Sequence, residues 1–155
     1  KYKKRFKGML PYLLGIVDAL THLRTLHLTL HDGERVWKKD ALIVSVGNGA
    51  YIGGGMKATP FADPFDGLFE VSVVSSISRA KFLRLLPSFI KGEHTGLPEV
   101  EYFRTKELYV ECPEECLINY DGELGSGMPV RYKIIPGAVK MLVRQDMTAE
   151  NTEEK

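Results

Sequence analysis

At 155 residues the chain has the length of one domain on a scale of about 100–200 residues per domain, enough to bury a substantial core. Hydrophobic residues make up 44% and charged residues 26%, a balance that excludes a disordered chain, and no run approaches the ~20 apolar residues needed to cross a bilayer. Lys plus Arg is 21 against Asp plus Glu 20, so the overall field favours no polyanionic partner and nucleic acid is not expected. The opening segment lacks a signal-peptide pattern, and the expected location is the cytoplasm.

Basic charge clusters at Lys1, Lys3, Lys4, Arg5 and Lys7, for which a solvated helix face is the simplest reading. The chain opens on Lys1 rather than Met, inside a helical pattern, and so reads as a piece of something longer. Phe6, Leu10, Leu13, Leu14, Val17 and Leu20 recur at helical spacing and predict an amphipathic helix over 5–20, with Pro11 and Gly15 as weak points. Leu26, Leu28 and Leu30 alternate with polar residues, and Asp32-Gly33 offers the positive-φ pair of a tight hairpin before a second strand at 35–39. The run Ala41 to Val46 suits a buried strand that breaks at Gly47-Asn48-Gly49 and Gly53-Gly54-Gly55.

Leu68 to Val74 reads as another strand. The period then changes: Ser78 caps a helix over 79–91 whose stripe is Phe82, Leu85, Leu86, Phe89 and Ile90, with Pro87 inside it and Gly92 at its end. Short β-rich runs follow at 100–103, 107–112, 117–120, 130–135 and 139–143. The expectation is one mainly β domain over 1–146, an antiparallel β-sandwich with two helical additions, and a frayed acidic tail over 147–155 carrying Glu150, Glu153 and Glu154. Cys112 and Cys116 flank Pro113-Glu114-Glu115, a spacing open to a disulfide but read here as two reduced structural thiols, too few for a zinc site.

Three clusters carry candidate chemistry. The glycines from Gly47 to Gly55 would let backbone approach a phosphate, yet no Gly-Lys-Ser/Thr ending follows, and bulges and turns between strands explain them better. Asp63-Pro64-Phe65-Asp66-Gly67-Leu68 puts two carboxylates three residues apart in a segment that Pro64 and Gly67 keep from being helical. Such a pair can share a hard cation such as Mg²⁺, although Asp-Pro and Asp-Gly are also ordinary turn dipeptides. Asp121-Gly122-Glu123 offers a second acidic pair, open either to a hairpin turn or to receiving a hydroxyl proton in phosphoryl transfer. No histidine has metalloprotease spacing and no Gly-x-Ser-x-Gly elbow is present, so hydrolase chemistry is not expected.

In order, Asn48-Gly49-x-Tyr51-x-Gly53-Gly54-Gly55, Pro60, Ala62-Asp63-x-x-Asp66-Gly67-Leu68, Gly92-Glu93-His94 and Asp121-Gly122-Glu123 resemble the bacterial diacylglycerol kinase and sphingosine-kinase-like lipid kinase family. The likeness runs from about Lys1 to Arg144 and corresponds to that family's second, lipid-side domain, the β-sandwich of the diacylglycerol kinase/NAD kinase-like fold. The resemblance implies a structural Mg²⁺ site at Asp63, Asp66 and the Leu68 carbonyl. It also implies a general base at Asp121 with Glu123 as its acidic companion.

The family's Gly-Gly-Asp-Gly motif, which binds ATP in an amino-terminal nucleotide-binding domain, is absent from this sequence, so the chain alone is expected not to turn over. The implied partners are that domain, a lipid substrate (diacylglycerol above all), a membrane surface touched peripherally, and a second copy of the chain where its domain-facing surface is bare. A sphingoid-base kinase and an NAD kinase on the same fold are the alternatives, the latter lacking its Thr-Pro-Thr-Gly-Ser-Thr-like run here. A non-catalytic lipid-binding module is a third.

Overall fold

The computed structural model describes residues 24–52, 55–140 and 142. The predicted helix over 5–20 and the acidic tail lie outside the described residues. Strands β1 (Leu26–His31), β2 (Val36–Gly47), β3 (Phe69–Ser75), β4 (Val100–Thr105), β5 (Glu107–Glu111) and β8 (Val130–Lys133) form a six-stranded sheet in the order β4-β3-β2-β1-β5-β8. Every neighbouring pair in it is antiparallel. Strands β6 (Leu117–Tyr120) and β7 (Glu123–Ser126) form a separate two-stranded hairpin inserted between β5 and β8. Helix α1 (Arg79–Lys91) joins β3 to β4.

Period-two alternation assigns the faces of the sheet. Leu28 and Leu30 of β1, Val71 and Val73 of β3, and Leu108 and Val110 of β5 form the main buried cluster, with Phe69, Phe103 and Tyr132 packed against it. The opposite face of β3 carries Glu70, Ser72 and Val74, all buried as well, so this strand is covered on both sides. Helix α1 covers its far end, where Phe89 packs with Val74 and Val100.

The helix begins and ends where its caps dictate. Ser78 holds an extended backbone and its Oγ accepts the Lys81 N–H at 3.3 Å, while Gly92 turns left-handed at φ 80° and Glu93 N–H returns to the Ser88 carbonyl at 2.8 Å. A Cβ on Gly92 would stand 2.9 Å from both Lys57 Cβ and Pro60 Cβ, so the helix end presses on the 57–60 segment. Pro87 sits within the helix on its exposed side, one turn after exposed Leu83.

Several boundaries differ from the sequence reading. The two strands expected at 35–39 and 41–46 are one twelve-residue strand with an irregularity between Ala41 and Ile43. Asp32-Gly33 does not make a two-residue turn: His31 pairs with Val36, and only Gly33 has positive φ. Asp32 instead organises a four-residue loop, its Oδ1 accepting the N–H groups of Glu34 at 3.1 Å and Arg35 at 2.9 Å and its Oδ2 the Arg35 Nε–H at 2.7 Å. The side chain found backbone donors that outweighed the Asp-Gly preference. Strand β7 was not predicted, because Glu123–Ser126 lacks β-branched residues. No strand forms at Val139 and Lys140, where Gly137 at φ 68° turns the chain away from β8.

Both cysteines are buried free thiols; burial pushes the Cys112 thiol up to about 12, and its S–H donates to Glu114 Oε2 at 3.0 Å. Gly47, the last residue of β2, is explained by close approach. Thr59, 1% exposed, donates its hydroxyl to the Gly49 carbonyl at 2.9 Å, and a Cβ on Gly47 would overlap its Oγ1 and stand 2.9 Å from its Cβ. Gly47→Ala is therefore expected to lower stability by ~1–3 kcal/mol, the usual cost of overpacking. Urea unfolding would show it as a lower midpoint at unchanged slope, and a wild-type midpoint would mean that Thr59 yields freely.

Candidate functional site

The turn before β3 is built by its own acids. Asp63 Oδ1 accepts the Phe65 N–H at 2.9 Å and Asp66 Oδ1 accepts the Leu68 N–H at 2.8 Å, two successive side-chain-to-backbone turns that Pro64 and the left-handed Gly67 (φ 74°) permit. Each aspartate thus spends one oxygen on the loop. The second oxygen of Asp66 is paired with Arg104 Nη2, and both carboxylates line one open cleft of about 800 Å³ together with Phe61, Glu70, Tyr102 and Arg104.

Strand register brings the deeper residues to that cleft. Glu70 stands opposite Arg104 and Ser72 opposite Tyr102, so Glu70, Tyr102 and Arg104 share one face of β3 and β4. Glu70 is 1% exposed, and Arg104 Nε lies 2.7 Å from its Oε1, yet neither carboxylate oxygen receives an aligned hydrogen bond. Burial raises the Tyr102 phenol above its ordinary value, the Phe61 N–H that its oxygen accepts at 3.5 Å lowers it, and contact of the hydroxyl with the Glu70 carboxylate, together with that group's charge, raises it further, so the hydroxyl keeps its proton. Phe61 and Tyr102 meet edge to face at 5.9 Å.

Among the described residues no three His, Cys, Asp or Glu side chains converge on a metal position. Magnesium is ordinarily held by one or two carboxylates with water and other oxygens completing its shell. Asp63 and Asp66 on one cleft, in front of a buried carboxylate with no aligned hydrogen bond, fit that requirement. Leu68 closes the same turn, with its N–H already given to Asp66.

Asp121 and Glu123 lie elsewhere. Tyr120 pairs with Glu123, so Asp121 (φ 51°) and Gly122 (φ 103°) form a true two-residue turn at the tip of the β6–β7 hairpin, with Gly122 N–H donating to Asn119 Oδ1 at 2.7 Å. Both acids are exposed, and among the described residues neither side chain has a hydrogen bond or ion pair. The chain does not bring them to the cleft of Asp63 and Asp66. Sequence reasoning missed Glu70, Tyr102 and Arg104 altogether; the usable signal was the alternation Phe69-Glu70-Val71-Ser72-Val73, which sets Glu70 on the face of Val74.

His94 secures the cleft from behind. It is wholly buried, stacks on Phe89 at 4.5 Å and donates Nε2–H to the Ala58 carbonyl at 3.1 Å, next to Thr59. The Gly92-Glu93-His94 cluster is thereby structural: it joins the end of α1 to the segment leading into the acidic turn.

The described residues thus combine an antiparallel sheet with one helix, an acidic turn before β3 and an acidic hairpin tip between β6 and β7. The family described as "YegS C-terminal NAD kinase beta sandwich-like domain" matches residues 2–143, and the chain belongs to that family. It is 35% identical over 136 residues to a diacylglycerol kinase of Mycobacterium tuberculosis, covering 87% of this chain and 44% of that protein. A Pectobacterium atrosepticum relative named "Probable lipid kinase YegS-like" is 28% identical, over 85% of the chain and 43% of its own length. A crystal structure of a diacylglycerol kinase from Bacillus anthracis aligns with TM-score 0.61 at 23% identity, over 79% of this chain and 44% of that one, a likeness of fold. The chain spans less than half the length of these relatives.

Burial lowers the His94 pKa from its ordinary value, against weaker backbone contacts that raise it. The neutral ring is the folded form, so its contribution to stability is full above the unfolded value of about 6.5 and is lost as pH falls through the lower folded value. Urea midpoints measured between about pH 7.5 and 5 are expected to fall on acidification in the wild type. The fall should be smaller in His94→Gln, which keeps an amide donor; equal slopes would show that His94 is not the titrating group.

Proposed function

We propose that this chain is the lipid-side domain of an ATP-dependent diacylglycerol kinase that moves the γ-phosphoryl group of ATP to a lipid hydroxyl. The likeness to the M. tuberculosis diacylglycerol kinase, extending over 87% of the chain, is the observation that carries the reading. ATP would be held mainly by a separate nucleotide-binding domain, with the lipid reached at a membrane surface that the protein touches peripherally.

The residues divide the work by position. Asp121 stands at the apex of a two-residue turn beside a glycine, exposed and without a competing cation among the described residues, so an incoming hydroxyl meets little obstruction. Its carboxylate would take or guide the hydroxyl proton, with Glu123 adding negative charge that favours proton acceptance. Asp63, Asp66 and the Leu68 carbonyl would hold Mg²⁺. When bound, that ion would neutralise the acidic turn and supply positive potential facing the nucleotide domain. Among the described residues no helix is long and apolar enough to cross a membrane.

Asp121→Asn keeps the side-chain shape and removes the strong proton acceptor. In the kinase formed with the nucleotide-binding domain, diacylglycerol phosphorylation should fall by ~10²–10⁴-fold with ATP binding little changed. Turnover near the wild-type rate would remove Asp121 from the base role and leave substrate positioning as the better account.

A further inference from the structure

The acidic cleft already contains a cation. Asp63, Asp66 and Glu70 line it against the single guanidinium of Arg104, so three formal negative charges face one positive charge and the cleft carries −2. Arg104 divides itself between two acids: Nη2 pairs with Asp66 Oδ2 and Nε approaches Glu70 Oε1 at 2.7 Å. Because Asp66 Oδ1 is committed to Leu68 N–H, the pair with Arg104 leaves Asp66 with both oxygens engaged.

Glu70 is in the opposite condition. It is 1% exposed, and beyond the Tyr102 hydroxyl beside it neither of its oxygens receives an aligned hydrogen bond, although a carboxylate has about four acceptor positions. Arginine can satisfy such a group through two parallel N–H bonds, a geometry the present split prevents. The Arg104 side chain is 47% exposed and has room to move, while the antiparallel register keeps its backbone opposite Glu70 in either arrangement.

We propose that Arg104 is an exchangeable counter-cation of the acidic turn: a divalent cation binding Asp63 and Asp66 displaces the guanidinium from Asp66, and Arg104 falls back onto the buried Glu70. Glu70 is then a positioning residue that acts on the metal site only through Arg104. The exchange rests on the reading of Asp63 and Asp66 as cation ligands. It turns an otherwise costly buried carboxylate into the receiver that makes release of Asp66 possible.

Mn²⁺ binding to the 155-residue chain, followed by electron paramagnetic resonance of the free ion, tests the exchange without any need for turnover. Arg104→Gln should tighten Mn²⁺ about 3–10-fold, the size expected for removing one half-exposed competing pair. Arg104→Lys, which keeps the charge without the two-pronged reach, should fall between it and the wild type. Glu70→Gln should weaken Mn²⁺ binding in the wild-type background and have little effect once Arg104 is Gln, a pattern that simple loss of packing would not give. Unchanged or weaker binding in both Arg104 variants overturns the exchange while leaving the cation site standing. Absence of Mn²⁺ binding that depends on Asp63 and Asp66 overturns both.

Discussion

A carboxylate buried on the face of a sheet has to be compensated, and around Glu70 that requirement shapes the candidate site. Burying an unpaired charge is expensive enough that proteins either neutralise it or supply a partner. Here the partner comes from the directly opposite position on the next strand. The same guanidinium also pairs with Asp66, and so the interior of β3–β4 is coupled to the acidic turn that precedes β3. The same face changes character along its length. At one end Val74 and Val100 lie under Phe89 of α1, in the middle Tyr102 meets the buried ring of His94, and at the other end Glu70 and Arg104 open onto the cleft.

The glycines and His94 make that arrangement possible from outside the sheet. Gly47 allows Thr59 to close against the end of β2, Gly92 allows the end of α1 to close against Lys57 and Pro60, and His94 ties the helix end to Ala58. Residues scattered over nearly fifty positions thus converge on one short segment, and that segment leads directly into Asp63 and Asp66. The hairpin tip with Asp121 is held independently by its own turn. A kinase that closes a nucleotide domain over both features would use the sheet to fix one and leave the other accessible to substrate.

Local patterns were legible wherever one element decided its own conformation. The helix over 79–91 was read from its cap, stripe and terminal glycine and is found at Arg79–Lys91; β6 at Leu117–Tyr120 was read to the residue. The Asp121-Gly122 turn behaves as its dipeptide suggests, whereas Asp32-Gly33 does not, because the outcome there depends on whether the aspartate side chain finds backbone donors. Asp63 and Asp66 stood out because carboxylates three residues apart across Pro64 are visible in one dimension. Glu70 and Arg104 are separated by more than thirty residues and meet only through register, which no local pattern encodes. Tyr102 reaches the same face only through that register, opposite Ser72.

The central claim is that Glu70 and Arg104 form one energetic unit, and a double-mutant cycle on unfolding free energy tests it most directly. Glu70→Gln, Arg104→Met and the double variant, compared with wild type in urea at neutral pH, should show a coupling of about 0.5–3 kcal/mol, the range for residues in one charged network. The double variant should be more stable than the sum of the single losses predicts, since removing Arg104 alone strands the buried carboxylate. Losses that add to within about 0.3–0.5 kcal/mol, as for distant and independent sites, would contradict the account.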